Sequence, residues 1–335
     1  MQKQEIQMRY QKFLEKYMKE NDEQSLYQGQ QLVWRLIEEG VSPEEVVHTH
    51  VMGLLNIYPS LSEEMKRSFK FLLEVMMNYG IAYREHQSLK DKQKLLNIEM
   101  GIAKGMQKRF LKNEVPEVDF LDIGVISQAA SQVNGDYYHF EYDETGQVSV
   151  VIADIIGKGI PAMLCMSMIR YAIESFPPSL MSPARILENV NTIVEENLDD
   201  SMFITMFYGQ YDAGRHRFIF ANAGHEPGLI YRKKTDEFQE MKTKGVILGV
   251  RKNVTYPQYE LALDIGDMII LFSDGITEAR FNGKFVDRSE IIGMIQKYQN
   301  LPAQEIVNRV YTQFARRQHF ELRDDLTMII LRRKV

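Results

Sequence analysis

From about residue 119 onward the chain is a series of short apolar runs bounded by turn residues, and this punctuation constrains the fold most. "FLDIGVIS", "YYHFEYD", "QVSVVIAD", "MFITMFYGQYD", "HRFIFANAG", "PGLIYR", "DMIILFSD" and "LTMIILRR" have the length and composition of strands. Glu144-Thr145-Gly146, Asp212-Ala213-Gly214 and Asn282-Gly283 supply tight turns. Four helical stretches lie between: "PAMLCMSMIRYAIESF", "SPARILENVNTIVEENL", "RSEIIGMIQKY" and "AQEIVNRVYTQFARRQ". Strands joined by hairpin-length turns, with a few long helices, predict antiparallel sheets covered by helices, an α/β layered sandwich over 119–335.

Upstream the texture differs. Residues 1–84 carry helical periodicity throughout and predict an all-α helical bundle ending near Tyr83. Leu26, Val33, Leu36 and Ile37 recur at helical spacing, and Gly40 suits a C-terminal cap. In "VSPEEVV", Ser42 can cap, Pro43 fits the first helical position and Glu45 completes a capping box. Residues 85–118 read as a linker helix in which Leu95, Ile98, Ile102, Met106 and Phe110 form one narrow stripe, bounded by Pro116. Such a stripe suits pairing with a second copy as a coiled coil, hence a homodimer; it also suits an amphipathic helix lying on its own domain.

Composition narrows the setting. A chain of 335 residues suggests about two domains. A net charge of -6 leaves no basic footprint, so no nucleic-acid partner is expected. The single cysteine, Cys165, excludes an internal disulfide framework and fits a reducing compartment. The first residues lack the apolar core of a signal peptide, and no run is long enough to span a bilayer. The expected location is the cytoplasm, with no membrane partner.

Aspartates mark the edges of the strongest strands. Asp154 and Asp274 end apolar runs, while Asp136 and the Asp324-Asp325 pair precede them. In an antiparallel sheet the end of one strand lies beside the start of its neighbour, so the four sites can share one rim. Singly, each aspartate is an ordinary turn or cap residue. Gathered together, their charges repel, and burying them is costly unless a cation neutralises them. The all-oxygen set suits magnesium or manganese better than zinc. Two such ions sharing a carboxylate would acidify a water and supply a nucleophile for attack on phosphorus.

Other chemistries fit less well. Cys165 and Arg170 have four intervening residues, where a cysteine phosphatase loop needs five, and Cys165 sits in an apolar helical run. His225 in "NAGHEP" reads first as a residue that hydrogen-bonds its own turn, and second as a general acid. "GKGIPA" (157–162) hints at phosphate cradling but lacks Walker spacing, and reads equally as a tight turn into a helix with Pro161 at its start. A metal-dependent nuclease would need the basic stripe this chain lacks.

"GDYYHF", "VVIADIIGKGIPAMLCMSMIR", "MFITMFYGQYD", "FANAGHEPGLI", "KGVILGV", "GDMIILFSDGITEAR" and "RDDLTMIIL" resemble, in order, the motifs of type-2C (PPM) metal-dependent serine/threonine phosphatases. The match is to their bacterial, SpoIIE-like branch. "IAKGMQKRFLKNEVP" resembles the helix leading into this domain in bacterial stress regulators. The resemblance implies an α-β-β-α sandwich with two divalent ions, manganese or magnesium, at one edge. It implies Asp154 as the bridging carboxylate, Ile155 as a ligand through its carbonyl, Asp274 and Asp324 as direct ligands, and Asp136 as support for the second metal. Asp325 stands where relatives carry Asn or Asp. Eukaryotic members place a histidine general acid two positions after the bridging aspartate; here that position is Ile156, with Lys158 further on, so the proton donor is unassigned. The resemblance further implies a phosphoserine substrate on an anti-anti-sigma protein similar to RsbV. It also implies an activating kinase-like partner similar to RsbT at the N-terminal domain, and control of a sigma-B stress response. The alternative is a catalytically degenerate scaffold in the same circuit, which would not need these carboxylates.

Overall fold

The structure is a computed structural model of the 335-residue chain. It describes all residues except 1, 22, 39, 111–113, 131–133, 156–159, 176–179, 198–201, 282–283 and 319–321; the side chains of 2–7, 26, 33–35, 37–38, 106–110, 160, 281 and 284 are also outside the description. Two compact units divide between Asn97 and Ile98.

The first unit contains α1 (Gln2–Glu20), α2 (Glu23–Glu38), α3 (Pro43–Ile57) and the start of α4 (Glu63–Phe110). Leu32, Leu36 and Val41 form its small core with Tyr10, Phe13 and Val46. Gly40 takes φ +66 after α2, and the Val41 N–H donates to the Leu36 carbonyl at 2.8 Å. These are the marks of the expected glycine cap. The Ser42 N–H donates to the Glu45 carboxylate at 3.1 Å, as the capping box requires. Of the periodic residues read from the sequence, the side chains of Leu26, Val33 and Ile37 lie outside those described.

α4 carries no break at residue 84, where the sequence reading separates bundle from linker. No proline stands between Glu63 and Phe110, so nothing removes a helical hydrogen bond. Leu95, Ile98 and Ile102 of the linker stripe are exposed, whereas the side chains of Met106 and Phe110 are outside those described.

In the second unit two five-stranded antiparallel sheets face each other. One runs β1 (Leu121–Gln128), β12 (Leu326–Arg333), β9 (Met268–Phe272), β6 (Leu229–Arg232), β7 (Glu237–Glu240). The other runs β2 (Asp136–Tyr142), β3 (Gln147–Ile155), β4 (Ile204–Asp212), β5 (Arg217–Ala223), β8 (Gln258–Ala262). α5 (Ile160–Glu174) and α6 (Pro183–Asn197) bury Met166, Ile169, Leu187 and Val190 against the second sheet. α8 (Arg288–Tyr298) and α9 (Ala303–Arg317) bury Ile291, Ile306 and Phe314 against the first. Phe140, Val150, Ile152, Phe207, Ile269 and Ile329 fill the space between the sheets. The layers are therefore α-β-β-α. The short α7 (Asp274–Thr277) and the pair β10 (Arg280–Phe281) and β11 (Lys284–Phe285) follow β9; the predicted turn at Asn282-Gly283 lies outside the described residues. No helix among the described residues is long and apolar enough to cross a membrane.

Candidate metal centre

The β2–β3 hairpin sets the first pair of carboxylates. Asp143 Oδ1 accepts from the N–H groups of Thr145 at 2.9 Å and Gln147 at 3.0 Å, and Gly146 takes φ +85. This turn fixes a register in which Asp136 stands directly opposite Asp154. The two-residue period puts both on the face of Phe140, Val150 and Ile152, which looks toward the other sheet.

The second pair comes from β9 and β12. The Ser273 N–H donates to the Thr327 carbonyl at 3.0 Å, and the Thr327 N–H donates to Ser273 Oγ at 3.0 Å. This clasp brings Asp274 beside the Asp324-Asp325 turn. A Cβ at Gly275 would lie 1.9 Å from the Asp325 carbonyl oxygen, so only glycine permits the approach.

Asp325 has a structural task. Its Oδ1 accepts from the Ala130 N–H at 2.7 Å, and its Oδ2 accepts from the Gly135 N–H. A Cβ at Gly135 would stand 3.1 Å from Asp325 Oδ2 and 3.5 Å from both Asp154 Oδ1 and the Ile155 carbonyl oxygen. The missing side chain at Gly135 thus lets these groups meet. Asp324 Oδ1 accepts from the Asp325 N–H at 3.0 Å.

Electrostatics record the convergence. Burial pushes the Asp154 carboxyl up to about 7, with further contributions from Asp274, Asp324 and Asp325. Burial raises Asp274 to about 6, aided by Asp324, Glu278 and Glu226. Asp136, 4% exposed, is raised by burial despite hydrogen bonds from Ser273 and Thr327, and both Asp154 and Asp325 add to the rise. Asp154 therefore lies within electrostatic reach of Asp136, Asp274 and Asp324.

Among the described residues, no three His, Cys, Asp or Glu side chains stand close enough together, as placed, to hold a metal ion. The donor set nevertheless fits a hard divalent cation. It consists of oxygens only, its like charges oppose one another, and the buried Asp136 Oδ2 has no hydrogen-bond partner. Burying such a group unpaired is costly, and a cation offsets that cost.

Sequence reasoning missed Ser273 and Thr327, which clasp the two strands, and the acidic neighbours Glu226 and Glu278. Ser273 adjoins Asp274 and Thr327 lies two residues after Asp325, a signal that could have found them. Glu226 is held by Arg288, which also reaches Glu240 at 2.7 Å. Cys165 is buried and its thiol is pushed up to about 12, so it supplies no thiolate nucleophile. Ile156, Gly157, Lys158 and Gly159 lie outside the described residues.

Residues 144–334, more than half of the chain, match the family of stage II sporulation protein E (SpoIIE). The chain belongs to the SpoIIE family. Asp154, Asp274 and Asp324 fall inside the segment shared with that family, and Asp136 just ahead of it. Residues 8–82 match a second family, the N-terminal domain of phosphoserine phosphatase RsbU. Over 330 residues, 98% of each chain, this SpoIIE-family chain is 45% identical to phosphoserine phosphatase RsbU of Bacillus subtilis strain 168. Its fold is shared with the SiaA-PP2C domain of Pseudomonas aeruginosa, at TM-score 0.60 and 20% identity, covering 72% of this chain and 98% of that one. It is also shared with the PP2C phosphatase domain of SpoIIE from Bacillus subtilis, at TM-score 0.54 and 22% identity, covering 64% and 63%. This SpoIIE-family chain is accordingly an enzyme, a PP2C-type phosphatase.

Proposed function

We propose that the chain hydrolyses a phosphoserine on a small regulatory protein, with Asp136, Asp154, Asp274, Asp324 and the Ile155 carbonyl holding two divalent cations. The observation that supports this reading is that Asp154, directly opposite Asp136 on one sheet, is raised by the charges of Asp274 and Asp324 at the edge of the other. Cations bound there would acidify a water and balance the charge of a phosphoryl group. The chain's own part is to hold its carboxylates ionised and aimed. Asp325 ties Ala130 and Gly135 to the β12 entry, Gly135 and Gly275 permit close approach, and Ser273 and Thr327 hydrogen-bond Asp136. Manganese is the expected ion and magnesium the substitute. Turnover of a phosphoserine protein should require manganese and stop with chelator; equal turnover in both would sink the reading. A degenerate scaffold would show no turnover in either.

The RsbU-type N-terminal unit supports a partner-switching role in the cytoplasm, with an RsbT-like activator bound through the helical unit and linker. An RsbV-like anti-anti-sigma protein is the substrate, and release of a sigma-B-type factor the result. The exposed Leu95, Ile98 and Ile102 on α4 support pairing with a second copy through the 85–118 linker, between a 1–84 domain and a 119–335 catalytic domain. Ile102→Glu should weaken both dimerisation, read by sedimentation, and partner activation. Unchanged values for both would remove the linker from the scheme.

A further inference from the structure

His225 follows β5 and is 5% exposed. Its turn is held by Asn222: the His225 N–H donates to Asn222 Oδ1 at 2.7 Å, and Asn222 Nδ2 donates to the His225 carbonyl at 2.9 Å. The turn-bonding task expected of the histidine thus belongs to Asn222, and the imidazole points elsewhere. Its Nδ1 lies 2.8 Å from Thr205 Oγ1. Thr205, on β4, stands directly opposite Asp154 on β3, at the cross-strand spacing where side chains on one face interact.

Nε2 is buried with no hydrogen-bond partner, and the Phe272 backbone is among the groups acting on the ring. Phe272 ends β9, two residues before Asp274. Burial holds the imidazole down at about 4, so at neutral pH it carries one N–H and one acceptor nitrogen. The tautomer with this proton on Nε2 is the one in which Thr205 serves as the donor. Nδ1 is then the acceptor, and Thr205 Oγ–H donates to it. A hydroxyl has a single proton, so Thr205 has none to give Asp154. The groups acting on the Asp154 carboxyl are Asp274, Asp324, Asp325 and the Ile155 backbone.

We propose that His225 is a positioning residue that captures the Thr205 hydroxyl proton and so keeps both Asp154 oxygens available to a divalent cation. The inference rests on the metal-site reading above. Loss of the imidazole frees the Thr205 hydroxyl to turn and donate to Asp154, competing with the ion. Removing the hydroxyl as well then removes the competitor. A histidine that merely fills the core predicts the opposite, because a second core substitution adds to the damage.

The test is calorimetric titration of manganese into the full chain. His225→Phe should bind roughly 10-fold more weakly, the usual scale for groups behind the ligands. The double variant His225→Phe/Thr205→Val should recover most of that loss, and Thr205→Val alone should stay within about 2-fold of the parent, well below that scale. A double variant that binds no better than His225→Phe overturns the proposal. If His225→Phe does not fold, Thr205→Val still decides: a roughly 10-fold loss would make Thr205 a needed donor to Asp154 and overturn it. A parent chain that binds no manganese removes the metal-site reading itself, whereas tight parental binding with His225→Phe unchanged removes only this step.

Discussion

Asp154→Ala and Asp274→Ala each cut turnover of a phosphoserine protein by at least ~100-fold, beyond the 10- to 100-fold typical of groups that only support a ligand. The metal-free variants meanwhile unfold at a temperature no lower than the parent. The second half of this expectation follows from the raised carboxyls. A carboxyl whose folded pKa is raised is favoured by the fold in its neutral form, so ionising it costs stability. In metal-free parent protein that cost is absent at acidic pH, below the ordinary carboxylate range. It grows as pH rises toward about 7, the value to which Asp154 is lifted. Stability of the metal-free parent should therefore fall across that window, and Asp154→Asn should flatten the fall. Thermal melts from pH 4 to 8 in chelator measure it. A parent whose stability rises with pH, or an Asp154→Ala variant with full turnover, contradicts the assignment.

Gly275→Ala should be strongly damaging. The added carbon would sit 1.9 Å from the Asp325 carbonyl, a backbone atom that moves only with the β12 entry. Forced overpacking of this kind costs about 1–3 kcal/mol, and a unit this size loses roughly 2–4 °C of Tm per kcal/mol. Activity should fall further than stability, because the displaced segment carries Asp324 and the ties from Asp325 to Ala130 and Gly135. Gly293→Ala is the control. It lies in α8 with nothing near its Cβ position, and a helix-interior glycine gains from the change. Melting curves of the two variants, with manganese binding on Gly275→Ala, check the contrast.

The eight apolar strands were legible because a buried strand needs a continuous apolar run and an abrupt polar end. β7 and β8 were not: they are outer strands that, unlike the outer strands β1 and β2, keep no buried residue. "EFQE" and "QYELA" are mostly exposed and have no such run. The extent of α4 was hidden for a different reason: composition changes near residue 84, while the helix continues and stays mostly exposed on both sides of that point. At the site, Asp136, Asp154, Asp274 and Asp324 stood out as charges interrupting hydrophobic strands. The work of Asp325 did not, because its partners are the N–H groups of Ala130 and Gly135, 195 and 190 residues away in the chain. The pairing of His225 with Thr205 was equally hidden, since it depends on which strand lies next to the "NAGHEP" turn.

Asp136 and Asp154 ride on one ladder, Asp274 and Asp324 at the end of the other, so the filling between the ladders acts as a gauge for the catalytic edge. Phe207 and Phe220, stacked with ring centres 5.4 Å apart, belong to that filling. Rings like these serve as shims: a thinner one lets the layers settle and changes the ligand spacing with no contact to any ligand. Evolution can therefore retune this chemistry from deep inside the wall, leaving every acidic group untouched.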